Sequence, residues 1–303
     1  MKWFYLERFL LLYLKGKGTK RKRSILDTEN QIFRQPRSVY LPFNVKKWDF
    51  LRTLISIMQK DNQIHCKDIS PPIWNDLPDF SLEAVNLWKI SIPDFLSQKE
   101  RLIQLLTKDE SGRASRYHQK KDRDRFIIGR GMLRQVLANY FGCDSTNVDF
   151  KKGINNKPYI DHPYPLPFNV SYSHNYVIIA LSSADIGVDI EFIHPEFNYP
   201  PLLEACFMEK EIQAISLSPI PRRSFFQLWT RKEALLKATS LGLDDYLTDF
   251  SCLDGYQPIP SNLHTSVDWK VKSFLLEDSY WISLAQRDSR AIRFIDAHSY
   301  FLN

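Results

Sequence analysis

The chain has 303 residues, is 44% hydrophobic and carries a formal net charge of +6, with a pI near 9.0. This length and apolar content are enough to bury a core, which excludes a wholly disordered chain and favours a globular, soluble protein of one or two domains. The positive charge favours an anionic partner, and nucleic acid, an anionic membrane, a phosphorylated small molecule and an acidic protein all stay open. The cysteines Cys66, Cys143, Cys206 and Cys252 form no Cys-x-x-Cys pair, which argues against a zinc knuckle or a disulfide framework and favours the reducing cytoplasm.

The N-terminal segment from Trp3 to Leu14 is apolar but is interrupted by Glu7 and Arg8. It is shorter than the roughly 20 residues that span a bilayer, so we predict no stable membrane insertion. A basic cluster follows the apolar run, whereas in a signal peptide the positive charge comes first. Interfacial attachment and a start codon assigned too far upstream both stay open. Because residues 16–78 show little periodicity, we predict a partly disordered extension over residues 1–83.

Regular patterns begin at residue 84 and alternate between strand and helix spacing. The elements predicted for the first part are a strand over 84–92, helices over 95–106 and 111–141, the second capped by Gly142, and strands over 176–181 and 186–192 joined by a tight turn. Those predicted for the second part are a helix over 202–217, a helix that begins with a capping box of Ser224 and Gln227 and ends at Gly242, and strands over 250–253, 267–276 and 280–285. The sequence therefore predicts an α/β fold.

The helix around Phe225 to Lys237 has an aromatic face and carries charged residues at a regular spacing. Trp229, Glu233 and Lys237 follow one another at four-residue steps and therefore lie on one side of the helix. A carboxylate and an ammonium in this arrangement could hold a metal ion and a phosphate. The same pair is also common as a simple helix-stabilising salt bridge, and the residues alone leave both interpretations open.

Two acidic residues alternate with apolar ones on the predicted strand over 186–192. Asp189 and Glu191 point to the same side of this strand, while Val188 and Ile190 point into the core. Adjacent carboxylates repel one another unless a cation lies between them. A cation site and an exposed strand face with two solvated acids both remain open.

Basic and polar residues upstream add further candidates for anion binding. The helix from about residue 111 begins with a run of arginines and lysines that includes Arg113 and Arg125. This basic run can be interpreted either as a solvated helix face or as a phosphate-binding surface. Lys157 precedes Pro158, which fixes the local backbone. His174, which follows Ser173 just before an apolar strand, is compatible with a structural role or a catalytic one.

In their order and spacing these motifs resemble the 4'-phosphopantetheinyl transferases of the larger, surfactin-synthetase-associated type. The matching motifs are the basic helix, Asn-Lys-Pro at 156–158, Ser-His at 173–174, Gly-Val-Asp-Ile-Glu at 187–191 and Trp-Thr-Arg-Lys-Glu-Ala-Leu-Leu-Lys at 229–237. The resemblance extends from about residue 84 to about residue 285 and is densest from Asn156 to Lys237. One position departs from the family pattern, since Asn156 stands where the family commonly has glycine.

The resemblance implies both a fold and an activity. The fold is a pseudo-dimer of two similar α/β halves, 84–195 and 196–303, in a monomeric chain with the site between the halves. The activity is transfer of the phosphopantetheine arm of coenzyme A to a serine hydroxyl of an acidic acyl or peptidyl carrier protein, with Mg²⁺ as cofactor and release of adenosine 3',5'-bisphosphate. It implies no nucleic-acid partner, and the sequence does not distinguish carriers of fatty-acid, polyketide or peptide synthesis.

The resemblance also assigns the site residues. The implied magnesium ligands are Asp189, Glu191 and Glu233. The implied catalytic residues are Glu233, Lys237 and His174, and either Glu233 or a metal-bound water takes the serine proton. The implied coenzyme A contacts are Arg113 and Arg125 on the 3'-phosphate, Lys157 and Pro158 at the nucleotide end, and Ser173, His174 and Lys237 on the diphosphate.

Two other functions fit parts of the same pattern. A metal-dependent nuclease would also use an acidic pair on a strand and a basic surface, but such sites commonly place a lysine beside the acids, and here Phe192 and Ile193 follow Glu191. A basic nucleic-acid-binding protein would leave the three acids on its surface.

Overall fold

The computed structural model describes residues 62–241, 247–263, 265 and 267–302. The predictions made for residues 1–61, including the apolar segment from Trp3 to Leu14, lie outside these residues. Gly242 also lies outside them, although the helix predicted to end there ends within the described range. No helix within the described ranges is long and apolar enough to cross a bilayer.

The described chain contains eleven strands in three sheets, together with seven α-helices and short 3-10 turns. The elements up to residue 192 are β1 (Gln63–Asp68), β2 (Val85–Ser91), α1 (Lys99–Ile103), α2 (Lys108–Ser115), α3 (Lys120–Phe141), β3 (Phe150–Lys152), β4 (Pro158–Ile160), β5 (Phe168–Ser173), β6 (Tyr176–Leu181) and β7 (Ile186–Phe192). Those that follow are α4 (Leu203–Cys206), α5 (Glu209–Leu217), α6 (Pro221–Thr239), β8 (Gly255–Pro258), β9 (Trp269–Leu276), β10 (Tyr280–Gln286), β11 (Ile292–Asp296) and α7 (Ala297–Phe301).

Two similar α/β halves make up this fold, as the resemblance implies. The strand β7, which the predicted boundary after residue 195 placed in the first half, is counted here with the second because it pairs with β10. In one sheet the strands β2, β6 and β5 lie side by side, and in the other the strands β7, β10 and β9 lie in the same antiparallel order. In each half the first strand leads through a 3-10 turn and short helices into one long helix, α3 or α6, and an antiparallel pair of strands then completes the trio. The repeated order of elements is what a pseudo-dimer within one chain requires.

Among the described residues, one apolar cluster lies between α3 and its sheet and another lies between the two sheets. On β6, Val177 and Ile179 belong to the first cluster while Ile178 and Ala180 belong to the second, so every residue of this strand is buried. On β7 the residues Ile186, Val188 and Ile190 all face the second cluster. Because side chains alternate along a strand, Gly187, Asp189 and Glu191 face the other way, towards α6.

Strands from the two ends of the described chain cross between the halves. β11 pairs in parallel with β2, and β1 pairs in parallel with β9 and antiparallel with β8. β1 lies within the segment 1–83 that the sequence placed in the extension, so residues 63–68 already form a regular strand before residue 84, where the sequence predicted the first one. Ile64 and Cys66 are fully buried in the sheet, whereas the short run offers only two apolar positions as a sequence signal.

Several predicted element bounds require correction. The capping box at Ser224 was wrong, because α6 begins at Pro221 and the Ser224 hydroxyl instead donates to the hydroxyl of Ser218 at 2.7 Å. The long helix predicted over 111–141 is two helices, α2 and α3, separated at residues 116–119, where Gln119 has extended backbone and starts α3. α6 ends at Thr239, with Ser240 in the left-handed conformation.

The strand predicted over residues 250–253 is a loop that α6 holds in place through buried side chains. Lys232 Nζ donates to the carbonyls of Leu247 and Phe250, and the Arg231 guanidinium donates to the carbonyl of Cys252. The Cys252 N–H donates to Glu211 Oε1 at 2.8 Å. Since the backbone groups of this segment bond to side chains, they take no part in a strand ladder.

Candidate active site

Helix α6 lies in direct contact with β7 at a glycine. A Cβ atom on Gly187 would lie 2.0 Å from the carbonyl oxygen of Ala234 and 2.4 Å from the backbone nitrogen of Ala238. Two alanines four residues apart thus form the surface of α6 that meets the glycine of β7. Their neighbours on the helix, Glu233 and Lys237, are thereby brought next to Asp189 on the strand.

Three acidic side chains and one lysine meet between β7 and α6. Asp189, Glu191 and Glu233 are 0%, 2% and 3% exposed. The Lys237 Nζ atom lies 2.5 Å from Asp189 Oδ1 and 3.8 Å from Glu233 Oε2. Buried carboxylates require a compensating positive charge, and the Lys237 ammonium supplies it to one residue of each element. The helical pair of Glu233 and Lys237 is therefore also the link between α6 and the acidic strand.

The first half of the chain contacts the same acids through hydroxyl groups on β5. Ser171 Oγ donates to Asp189 Oδ1 at 2.9 Å, and Ser173 Oγ donates to Glu191 Oε2 at 3.0 Å. Both serines are buried. The predicted site residue Ser173 thus lies beside Glu191, and the site is formed where β5 of the first half meets β7 and α6 of the second.

His174 lies in the turn between β5 and β6, with a positive φ of 46°. Its ring stacks on Phe192 at a centroid distance of 4.9 Å, and its Nδ1 atom lies 3.3 Å from the Tyr280 hydroxyl. Partial burial lowers the pKa of His174 below 6.5, and the positive charges of Arg125 and Lys121 lower it further. The imidazole is therefore neutral near pH 7 and can act as a hydrogen-bond donor or acceptor.

Arg125 connects α3 to this turn and to the acidic strand. Its Nε atom donates to the His174 carbonyl at 2.8 Å, and its guanidinium pairs with Asp122 at 3.1 Å. Burial lowers the pKa of Arg125, and the negative charges of Asp122 and Glu191 oppose that shift. The guanidinium is therefore fixed beside the turn that carries His174.

The remaining predicted residues lie on different elements and make other contacts. The Lys157 ammonium donates to the carbonyls of Lys237 at 2.7 Å and Ala238 at 3.4 Å, and so caps the last turn of α6, where the negative end of the helix dipole lies. Burial lowers the pKa of Lys157. Pro158 begins the short strand β4 directly after it. The Arg113 guanidinium lies over the Phe126 ring at 5.0 Å.

The acidic cluster offers carboxylate oxygens that a metal ion could bind. Within the part of the chain that the structure describes, no three or more His, Cys, Asp or Glu side chains are grouped so that they could hold one. Magnesium in phosphate-handling proteins commonly takes one or two carboxylates and completes its shell with water and substrate phosphate oxygens. Asp189 and Glu233, which share the Lys237 ammonium, provide two hard oxygen donors of this kind.

Sequence reasoning missed four residues that shape this site. Gly187 sets the approach of α6, Asn169 and Ser171 contact β7 from β5, and Tyr280 contacts His174 from β10. A signal was present for Gly187, Asn169 and Ser171. The polar residues Asn169, Ser171 and Ser173 alternate with Val170 and Tyr172, as Gly187, Asp189 and Glu191 alternate with apolar residues on the predicted strand over 186–192, but no strand was predicted over residues 169–173. Tyr280 gave no signal because its contact joins residues 106 positions apart.

Fold and site together define a two-half α/β protein with an acidic, lysine-bridged site suited to phosphate chemistry. Residues 185–285 match the model of the 4'-phosphopantetheinyl transferase superfamily, and residues 88–184 match a model of the 4'-phosphopantetheinyl transferase N-terminal region. The chain is 30% identical over 203 residues to the 4'-phosphopantetheinyl transferase HetI of Nostoc sp., covering 65% of this chain and 85% of that protein. It is 26% identical over 156 residues to the 4'-phosphopantetheinyl transferase Sfp of Bacillus subtilis, covering 51% of this chain and 69% of that protein. The chain belongs to the 4'-phosphopantetheinyl transferase superfamily.

Proposed function

We propose that this protein transfers the 4'-phosphopantetheine arm of coenzyme A to a serine of an acyl or peptidyl carrier protein. The observation that carries the proposal is the Lys237 ammonium, which bridges Asp189 on β7 and Glu233 on α6 at distances of 2.5 and 3.8 Å. The ammonium can bind the negatively charged diphosphate, and the two carboxylates beside it can bind a divalent cation. The family membership of the chain supports the same reaction.

In this proposal coenzyme A is held from both halves. Lys237 and the neutral imidazole of His174 bind its diphosphate, and Arg125, which lies beside His174 on α3, binds the 3'-phosphate together with Arg113. Lys157, which lies at the same C-terminal turn of α6 as Lys237, contacts the nucleotide end together with Pro158. The arginines are suited to this task because a guanidinium can donate two hydrogen bonds to one phosphate group.

Asp189 and Glu233 are the proposed direct magnesium ligands, and Glu191 completes the shell through a water molecule. When bound, magnesium would neutralise the negative charge of the diphosphate. The buried position of all three carboxylates supports this role, because low exposure strengthens their attraction for a cation. We expect that a chelator abolishes transfer and that added Mg²⁺ restores it, while Lys237 remains available to the phosphate oxygens.

The chemical step joins the serine oxygen to the phosphorus that bears pantetheine. The bond from that phosphorus to the bridging diphosphate oxygen breaks, adenosine 3',5'-bisphosphate leaves, and the serine proton passes to a base, for which Glu233 is our candidate. Lys237 stabilises the negative charge on the leaving phosphate. We place this reaction in the cytoplasm, in keeping with four cysteines that are all free thiols, and we propose that the chain acts as a monomer.

The test is a transfer assay with matched aspartate variants. Asp189→Asn should reduce turnover by about 10²-fold or more, because it removes a charged group from the reacting centre. Asp185→Asn is the control, since Asp185 lies on the same hairpin but is about half exposed and pairs with Arg287 at the surface. Equal activity of the two variants would overturn the assignment of Asp189, and failure of the wild-type protein to modify any carrier would overturn the proposed function.

A further inference from the structure

The strands β5 and β7 of the two halves meet through side chains. β7 pairs with β10 along one edge, and at its other edge three alternate backbone N–H groups donate to side-chain oxygens of β5. The N–H of Val188 donates to Asn169 Oδ1 at 2.9 Å. The N–H groups of Ile190 and Phe192 donate to the hydroxyls of Ser171 and Ser173 at 3.1 and 2.9 Å, which gives three rungs at two-residue spacing.

In two of these rungs the serine also holds a carboxylate of the site. Ser171 Oγ accepts the N–H of Ile190 and donates to Asp189 Oδ1, and Ser173 Oγ repeats the pattern two residues further on with Phe192 and Glu191. A hydroxyl can do both because it has one proton to donate and lone pairs to accept. Each serine therefore ties a carboxylate to the backbone N–H of the next residue.

The remaining rung differs in a way that fits its position. Asn169 accepts the N–H of Val188, and the strand position before Val188 is Gly187, which has no side chain to hold and lies against α6. Serine thus occurs on β5 where β7 carries an acid, and asparagine where β7 carries glycine. The pattern Asn-x-Ser-x-Ser on one strand is matched to Gly-x-Asp-x-Glu on the other.

From this matching we infer that Ser171 and Ser173 are positioning residues for the carboxylates of Asp189 and Glu191, an inference that rests on the proposed function of that site. The Oδ1 atom of Asp189 accepts from both Ser171 at 2.9 Å and Lys237 at 2.5 Å, so the serine fixes the orientation of the carboxylate that the ammonium contacts. In this role the Ser171 hydroxyl does not touch the reacting groups, and the Ser173 hydroxyl holds Glu191 in place of the diphosphate contact that the resemblance implies for it. Each acts through its acid and links the first half to the chemistry carried by the second.

The experiment compares Ser171→Ala with Ser171→Thr and with Ser283→Ala, and treats Ser173 in the same way. Ser283 is the matched control, because it is fully buried on β10, lies in register with Asp189 of β7, and hydrogen-bonds through its hydroxyl to Thr230 and Ser273. We expect Ser171→Ala to lower kcat by about tenfold to a hundredfold, as is typical when the partner of a reactive carboxylate is lost. The KM for coenzyme A should change less than about twofold, because the ligand-binding groups are retained.

Two further measurements distinguish a positioning role of the Ser171 hydroxyl from a general loss of stability: the activity of the Ser171→Thr variant and the hydrogen exchange of backbone amides on β7. Ser171→Thr keeps the hydroxyl and should restore most of kcat, whereas Ser283→Ala should leave kcat within about threefold of wild type while lowering thermal stability as much as Ser171→Ala does. Hydrogen exchange should accelerate at the Ile190 amide in Ser171→Ala and at the Phe192 amide in Ser173→Ala.

Three outcomes would overturn the inference. One is a loss of kcat in Ser171→Ala no larger than in Ser283→Ala, and another is an unchanged exchange rate at Ile190. The third is a raised KM with unchanged kcat, which would mean that the hydroxyl contacts coenzyme A itself. A wild-type protein without transfer activity would instead contradict the proposed function, and the exchange measurement would still decide whether the serine holds β7.

Discussion

The close contact between Gly187 of β7 and α6 predicts that activity depends on the distance between this strand and this helix. In Gly187→Ala the new Cβ atom would lie 2.0 Å from the Ala234 carbonyl oxygen and 2.4 Å from the Ala238 nitrogen. Both are backbone atoms of a helix, so neither can turn aside as a side-chain end could. To restore a contact of 3.0 Å, the helix would have to withdraw by about 1 Å.

This displacement acts directly on the site because Glu233 and Lys237 are the neighbours of the two alanines. Overpacking of this kind costs about 1–3 kcal/mol of folding free energy. A shift of about 1 Å in reacting groups costs about 10² in turnover. The ion pair of 2.5 Å between Lys237 and Asp189 should lengthen with it. We therefore expect Gly187→Ala to remain folded but to lose about 99% of kcat.

The assay measures kcat together with unfolding in urea, and Gly112→Ala is the control. Gly112 lies inside α2, and a Cβ atom there would meet nothing within 4 Å. That substitution should stabilise the protein by about 0.5–1 kcal/mol, since glycine is unfavourable inside a helix, and should leave kcat unchanged. If Gly187→Ala kept kcat within about threefold of wild type and its stability were unaltered, the reasoning that α6 is held against β7 by this glycine would be refuted.

Three further predictions concern the surroundings of the site. Lys157→Met should destabilise the protein by about 1–2 kcal/mol in urea unfolding, because the carbonyls at the end of α6 lose their positive cap; an unaltered stability would exclude the capping role. Arg231→Met should cost about 2–4 kcal/mol in the same assay, because its guanidinium satisfies the buried Cys252 carbonyl; a loss below about 1 kcal/mol would contradict this. In an NMR titration the pKa of His174 should lie below 6.5 and should rise in Arg125→Gln, which removes a nearby positive charge. Because the His174 pKa is lower in the folded chain than in the unfolded chain, protonation of His174 favours the unfolded chain. The free energy of unfolding should therefore fall as pH decreases through 6.5; a His174 pKa above 6.5 in the folded protein would refute this prediction.

The sequence predicts the site best where a local period decides the geometry. The two-residue period of β7 correctly placed Val188 and Ile190 in the core and turned Asp189 and Glu191 to the opposite side. The spacing of four between Glu233 and Lys237 likewise put both on one side of α6. Each of these inferences needs only the regular geometry of one element, which the order of residues determines.

Contacts between elements far apart in the chain could not be derived in this way. No local pattern shows that Gly187 meets Ala234 and Ala238, because that depends on how closely a helix and a strand pack. The sequence likewise gives no local signal that the Lys157 ammonium contacts the carbonyl of Lys237, which is 80 residues further along the chain at the end of α6. The sequence leaves the acidic pair open to two interpretations, a cation site and a solvated face. The burial of both acids and the contact of Asp189 with Lys237 exclude the solvated face.

The two halves were predicted from a resemblance, and their exchange of strands was not. The repeat of β2, β6 and β5 in β7, β10 and β9 follows from similar runs of elements. The pairing of β1 with β9 and of β11 with β2 joins segments about 200 residues apart. Short strands of this kind owe their stability to the sheet that receives them, so propensity alone gives them little signal.

The most direct test of the account is the mass of a carrier protein after incubation with this protein, coenzyme A and Mg²⁺. Several purified apo carriers of fatty-acid, polyketide and peptide synthesis should be compared in the same intact-mass experiment. We predict that at least one gains the mass of a single phosphopantetheine group at its serine, and that Glu233→Gln abolishes the gain while coenzyme A still binds. A wild-type protein that binds coenzyme A but changes the mass of none of these carriers would contradict the central claim.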